Sequence, residues 1–358
     1  MDELTELLHQ LVAIDSVNPS LVDGGAGEGE IAAFVAAWAS EAGLAVERFE
    51  ATAGRPSVVA SARGRGGGRT LLLCAHLDTV GVGDSTLVPR VDGDRLYGRG
   101  AYDMKAGLAA ALLTCRDAAR LGLAGDVVVA CVADEEHASL GVQEVLGALR
   151  ADAAIVPEPT GGVAIVAHKG FVWWEITVRG RAAHGSLPED GVDAIAAIGP
   201  VLVRVGDLDA ALSAHEHPLL GRGSVHASLI FGGSELSSYP GSCTLSVERR
   251  TLPGEAVDGE LAALIGDADA SARTLLVREP FAVDADAEIV RLVRAASGAE
   301  VGGAGYWTDA SFIAAAGIPT VIYGPGGDGA HADVEWVSLA ETAEVARVLL
   351  DVARGFCA

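Results

Sequence analysis

Between residues 58 and 156 the chain repeats one pattern: a short apolar run rich in β-formers, a turn carrying an acid or a histidine, then an Ala-rich helical stretch. The runs are TLLLCA, DVVVACVA and AAIV, separated by AGLAAALLTCRDAARL and SLGVQEVLGALR. Continuous hydrophobicity predicts strands buried on both faces, and the interposed helices predict a mainly parallel sheet covered by them. In such α/β folds, functional side chains gather beyond the carboxyl ends of the strands. The polar residues that close these runs are therefore the first candidates for chemistry.

Five of them can bind metal: His76 closing TLLLCAH, Asp103 in GRGAYDMKAG, Glu136 after VVVACVADE, Glu158 after AAIVP, and His331 in GPGGDGAHADVEW. Each is expected where a hydrophobic strand ends. Two imidazoles and three carboxylates suffice for two zinc-like ions if one carboxylate bridges, and Asp78 and Glu135 remain for other work. In His76-Leu77-Asp78, positions two apart on an extended segment share a side, so the Asp78 carboxylate is placed to orient the imidazole. A polar turn after a buried strand is the plainer alternative. Asp134-Glu135-Glu136 crowds carboxylates at a strand end, which raises pKa values unless a cation offsets them, although most acidic runs are solvated turns. One of two adjacent glutamates can bind metal while its neighbour accepts a proton from water. Segment 98–105 lacks phosphate-loop spacing and centres on an anion, so it reads as a backbone bend presenting Asp103. Glu158, between Pro157 and Pro159, sits on stiff extended backbone. Each feature alone has an ordinary structural reading, but five in this order describe a metal-dependent hydrolase.

With 358 residues, two domains are expected. Lys and Arg total 25 against 49 Asp and Glu, a net charge of −24 that disfavours nucleic acid and anionic membranes as partners. No apolar run approaches the roughly 20 residues of a membrane span. The start, MDELTELLHQ, is acidic and amphipathic without a basic leader region, so a cytoplasmic location is expected. Five cysteines, odd in number and without CxxC spacing, predict buried free thiols rather than disulfides.

The middle of the chain changes pattern. A strand at 171–178, a helix at 192–205, strands at 225–231 and 243–249, a helix at 255–266 and a strand at 274–278 give the order βαββαβ of a ferredoxin-like module. Helices at 287–297 and 309–316 and the strand TVIYG then return to the first pattern, which places His331 with the N-terminal ligands. The expected division is 1–167 plus 282–358 for the catalytic domain and 168–281 for the insertion, with hinges near His168 and Phe281.

The ordered motifs HLDTV, GRGAYDMKAG, ADEE, EPT and AHADVEW resemble the M20 family of metallopeptidases and amidohydrolases, which includes acetylornithine deacetylases, succinyl-diaminopimelate desuccinylases and glutamate carboxypeptidases. The likeness runs from IDSVNPS through GRAAHGSLPEDGVDAI and ERRTLPGE to the last histidine, and is nearest to the first two activities. It implies a di-metal hydrolase domain with an inserted lid and dimerisation domain. His76 and Glu158 would be terminal ligands of one ion, Glu136 and His331 of the other, with Asp103 as bridge and the peptide after it cis. The ions would be Zn2+, with Co2+ or Mn2+ able to serve the same donors. Glu135 matches the general base, passing a proton from water to the leaving amine, and Asp78 matches the carboxylate that orients His76. His184 matches a histidine that reaches the partner's active site in homodimers and stabilises the tetrahedral intermediate. Arg250 matches an arginine that grips a substrate carboxylate. Thr308 matches a substrate-touching loop, while His226 in SVHASLI either faces substrate or pairs along a strand. Where many members carry asparagine after a double glycine, GGSELSSYP has Ser237. The implied reaction is deacylation of N-acyl amino acids. A carboxypeptidase or dipeptidase is the alternative, and a catalytically silent metal-binding protein stands further behind because Glu135 is present.

Overall fold

The computed structural model describes residues 2–83 and 87–358. It divides into two compact units: one takes residues up to Val166 with Val283–Gly302 and Thr308–Ala358, the other Ala167–Ala282 with Gly303–Trp307. The five residues 303–307 thus count with the second unit, whereas the expected division kept all of 282–358 with the first.

The first unit is built on the predicted sheet. Among the described residues its strands lie in the order Ala45–Phe49, Ser57–Ala62, Val127–Val132, Leu71–His76, Ala153–Val156, Thr320–Ile322 and Ala164–His168, the last continuing into the second unit. The central pairings, Leu71–His76 with Val127–Val132 and with Ala153–Val156, and Thr320–Ile322 with Ala153–Val156, are parallel. The flanking pairs are antiparallel. The central strands are buried along their whole length, as runs without polar alternation require. Helices Glu3–Ala13, Ala106–Leu121 and Leu339–Phe356 share one apolar core with this sheet, and Ala106–Leu121 is so rich in alanine because it is buried almost all round. The C-terminal helix was not among the sequence expectations, although Val345, Val348, Leu349 and Val352 recur at helical spacing and Ser338 caps it by accepting the Glu341 N–H.

A small antiparallel sheet in the order Gly327–Asp328, Trp336–Ser338, Arg95–Tyr97, Arg90–Asp92 brings distant segments together. Its register sets Trp336 opposite Tyr97, which places the His331 loop beside the Asp103 bend. Two glycines let backbone converge on Glu158. A Cβ on Gly107 would lie 2.0 Å from the Pro157 carbonyl oxygen, and one on Gly324 would lie 2.1 Å from the Glu158 oxygen.

The second unit has the expected order of elements. Strands Ser224–Gly232, Ser242–Thr251, Gly170–Arg179 and Ala270–Arg278 form an antiparallel sheet in that spatial order. Its inner face, including Val172, Trp174, Ile176, Leu245 and Val247, packs on Ile198, Val201, Val205 and Leu264. The helix expected at 192–205 is instead two, Ala194–Ala197 and Gly199–Leu212 with Pro200 in the first turn of the second, and the one expected at 255–266 is confined to Glu260–Ile265.

Candidate metal centre

His76 is the last residue of its strand, 2 % exposed, and its ring is fixed from behind: Nδ1 donates to the Asp78 main-chain carbonyl at 2.9 Å. A carbonyl oxygen only accepts, so Nε2 carries the free lone pair. That nitrogen lies 3.2 Å from Asp103 Oδ1 and 3.9 Å from Glu158 Oε1. The second oxygen of the same aspartate, Oδ2, lies 3.4 Å from His331 Nε2, which is 3.0 Å from Glu136 Oε2. Two donor groups result, His76 with Asp103 and Glu158, and Asp103 with Glu136 and His331, each with ligand atoms within 4.8 Å of one another. Asp103 belongs to both, one oxygen facing each histidine.

Not every candidate lies at a strand end. His76 does, and Glu158 and Glu136 follow Ala153–Val156 and Val127–Val132 closely. Asp103 instead occupies the kinked turn Ala101–Lys105 before helix Ala106–Leu121, and its peptide bond to Met104 is cis. His331 sits in the loop between two short strands with a φ of 63°. Both departures have the same cause: the paired neighbouring strands Arg95–Tyr97 and Trp336–Ser338 of the small sheet bring the Asp103 turn and the His331 loop together.

The Asp78 side chain corrects a second expectation. Its Oδ1 is 3.7 Å from the His76 Nδ1, and its hydrogen bonds go elsewhere: it accepts from Asn18 Nδ2 at 2.7 Å and from the Glu135 and Glu136 main-chain N–H groups at 3.1 and 3.2 Å. Behind it lies a buried network that sequence reading missed. Asn18 also donates to Asp134 at 3.0 Å, and Arg55 donates to both Glu28 and Asp134 at 2.7 Å. Asp134 has a φ of 68° and is fully buried, so the turn that aims Glu135 and Glu136 is held from three sides. Lys105, also fully buried, donates to the Ile14 carbonyl at 2.8 Å, and burial pushes its pKa down to about 7. Asn18, Asp134 and Lys105 carry no local signal beyond their presence in the IDSVNPS, ADEE and GRGAYDMKAG segments; Arg55 and Glu28 carry none.

The electrostatics ask for cations. Burial pushes Glu135, Glu136 and Glu158 upward, well above the ordinary range for Glu135 and Glu158, and neighbouring carboxylates add to it. Glu136 Oε1 is buried without a hydrogen-bond partner. Asp103 is pushed up by burial, but its hydrogen bonds to His331 and His76 win and hold it below the usual carboxylate range. Burial disfavours protonated His76, yet Asp103 and the surrounding acids raise its pKa well above normal, and hydrogen bonds to Asp103 and Glu136 raise His331 to about 10. Protons on the imidazoles stand where divalent ions fit better: the donors are nitrogen and oxygen, each imidazole has one lone pair inward, and one carboxylate faces both groups.

The remaining sequence candidates lie outside these two groups. His184, on the short strand Ala183–His184, is exposed and shares a 2.7 Å hydrogen bond between Nδ1 and Ser186 Oγ. Arg250 lies on the outer face of its sheet, paired with Glu248 and set over the Phe171 ring, whereas Arg249 on the inner face is buried against Glu255 and Glu260. His226 is exposed opposite Glu248 across the strand pair. Thr308 is 1 % exposed, and its hydroxyl accepts the Ala310 N–H at the start of helix Ala310–Ala315.

Buried acids converging on two imidazoles above a largely parallel sheet make an arrangement of the kind that metal-dependent hydrolases use. Residues 72–355 match the family described as peptidase family M20/M25/M40. The chain belongs to that family and is a hydrolase of C–N amide bonds. An acetylornithine deacetylase from Myxococcus xanthus is 31% identical over 386 aligned residues, which cover 99% of this chain and 97% of the relative. Aminopeptidase PepT from Bacillus cereus shares the fold with a TM-score of 0.80 at 20% identity, over 99% of this chain and 98% of that one. A Bacillus subtilis protein described as a dinuclear metal-binding peptidase of the M20 family does so at 0.73 and 17% identity, over 99% and 97%. No helix among the described residues is long and apolar enough to cross a membrane.

Proposed function

We propose that this hydrolase removes the acyl group of N-acyl amino acids, with two divalent cations, most simply Zn2+, held by His76, Asp103, Glu136, Glu158 and His331. The observation that carries this reading is the Asp103 carboxylate, whose oxygens lie 3.2 and 3.4 Å from the two histidine Nε2 atoms. When bound, the cations would lower the pKa of a water and polarise the scissile carbonyl. Glu135 would take a proton from that water and return it to the leaving amine, a role supported by its place beside Glu136 and outside both donor groups. Asp78 holds the backbone of both glutamates, and through it the base and the ligand keep a fixed spacing. Arg250 would take the amino acid carboxylate, and its outward position on the sheet supports that role over that of Arg249, whose charge is spent on two glutamates.

A homodimer in which His184 of one protomer serves its partner is part of the reading. Its support is the edge strand Ser224–Gly232, which exposes Leu229, Ile230 and Phe231 in series, at 55%, 49% and 65%. Exposed apolar edges of this length are normally covered. Five buried free cysteines support a cytoplasmic setting. A peptidase is the second reading, favoured by the aminopeptidase among the structures that share the fold. The test is amine release from N-acetyl, N-succinyl and N-formyl amino acids and from dipeptides, with and without chelator. Chelator-sensitive release from one acyl class is the expected result, and release from dipeptides alone would replace the deacylase with the peptidase.

A further inference from the structure

Glu335 is 1 % exposed and its carboxylate accepts four hydrogen bonds: from Gly100 N–H at 2.9 Å, Tyr102 N–H at 2.9 Å, Asp103 N–H at 3.0 Å and Arg99 Nη1 at 2.7 Å. Arg99, 2 % exposed, spends its other donors on main-chain carbonyls, Nε on Gly81 at 3.0 Å and Nη2 on Ala332 at 2.7 Å. One buried ion pair therefore grips the backbone of the shared aspartate at one end and the residue after His331 at the other.

The two donor groups depend on this grip unequally. His76 and Glu158 follow neighbouring parallel strands, and the His76 ring has its own anchor in the Asp78 carbonyl. His331 has a side chain 55% exposed on a loop at φ 63°, and its ring meets the two carboxylates it would share with a cation. We propose that the Arg99–Glu335 pair is a positioning device for the second cation: it fixes the distance between Asp103 and His331, and so decides whether the site completed by Glu136 and His331 is filled. The proposal rests on the two-cation reading above. Partners behind metal ligands commonly change affinity by about 10–100-fold, and a buried pair broken on one side leaves an unmatched charge that shifts the backbone it held.

The experiment is a calorimetric titration of metal-free wild type, Glu335→Gln and Arg99→Lys with Zn2+, repeated with Co2+ to read each site's absorption band, after thermal melts have established that each variant folds. Wild type is expected to take two equivalents. Glu335→Gln should keep the first within about threefold and weaken the second by about 10–100-fold. Arg99→Lys, which keeps the charge but loses the planar fork, should fall between the two. Excess Zn2+ should restore kcat of the Gln variant with KM unchanged. Unaltered affinities in both folded variants, or equal weakening of both equivalents, would overturn the proposal. A wild type that takes fewer than two equivalents would sink the two-cation reading itself, an outcome visible before any variant is made.

Discussion

The Asp78 carboxylate accepts the main-chain N–H of Glu135 at 3.1 Å, and so binds the backbone of the proposed base rather than the imidazole suggested by the HxD spacing. The His76 ring is oriented by the carbonyl of the same residue, so side chain and main chain of Asp78 serve different neighbours. Asp78→Asn should therefore disturb Glu135 and Glu136 while leaving the first donor group in place. The amide keeps one acceptor but turns a second donor toward N–H groups, and a loss of kcat of about 10–100-fold is expected. Unchanged kcat with an altered first-equivalent metal affinity would show that the carboxylate acts on His76 after all.

Glu135→Gln separates base from ligand. The variant keeps size and position but cannot take a proton. Turnover should fall by about 10²–10⁴-fold with metal content unchanged, measured by amine release and by metal analysis of the same sample. A variant that keeps most of its activity would put the base elsewhere.

Arg55 bonds both members of the buried pair Glu28 and Asp134, with side-chain exposures of 8%, 0% and 0%. Removing it strands two buried acids. Arg55→Met should cost about 3–5 kcal/mol in urea unfolding, since breaking one side of a buried ion pair leaves charge uncompensated. A loss below about 1 kcal/mol would mean that the acids find protons or water at little cost.

The central strands could be read from sequence because burial on two faces forces long apolar runs, and helix Ala106–Leu121 because it advertises its burial in its alanines. The donors could be read because each is a charged residue set against such a run or inside a glycine-rich turn. Arg55 and Glu28 were not legible: an ion pair between residues 27 apart looks, in sequence, like two solvated charges. The same holds for Arg99 and Glu335, separated by 236 residues and brought together only by the register of the small sheet. The Asp78 carboxylate was misread because alternation along a strand fixes the side on which a side chain points and says nothing of the turn 134–136 that folds over it.

The edge strand offers a test of assembly. Replacing Leu229 and Phe231 by lysine puts charge on an exposed apolar edge without touching the inner face, because they stand opposite Ser246 and Thr244 and not the buried Leu245 and Cys243. The expected product is a folded monomer by light scattering, with turnover reduced because His184 then lacks a partner site. A variant that stays dimeric would place the interface on another face.

The last prediction concerns pH. Burial raises Glu136 and Glu158 in the metal-free protein, with nearby acids adding to it, and hydrogen bonds to Asp103 and Glu136 raise His331 to about 10. In the unfolded chain these groups titrate near about 4.3 for glutamate and about 6.5 for histidine. These groups therefore hold more protons in the metal-free fold than in the unfolded chain from about pH 4 upward to about 10, and their contribution to stability falls as pH rises through that window, while buried Lys105, pushed down to about 7, acts the other way above that pH with and without metal. Asp103 has the opposite sign, because its depressed pKa stabilises the fold above the ordinary carboxylate value and that contribution is lost only in acid, below the window. Divalent ions compete with protons for the same nitrogen and oxygen atoms, so the stabilisation they confer must grow as the protons leave. Melting temperatures with buffered Zn2+ and with chelator, compared from about pH 5.5 to about pH 8.5, should diverge steadily, the chelated sample falling and the metal-loaded one holding. A gap that stays constant or narrows with rising pH would mean that these histidines and carboxylates do not bind the ion.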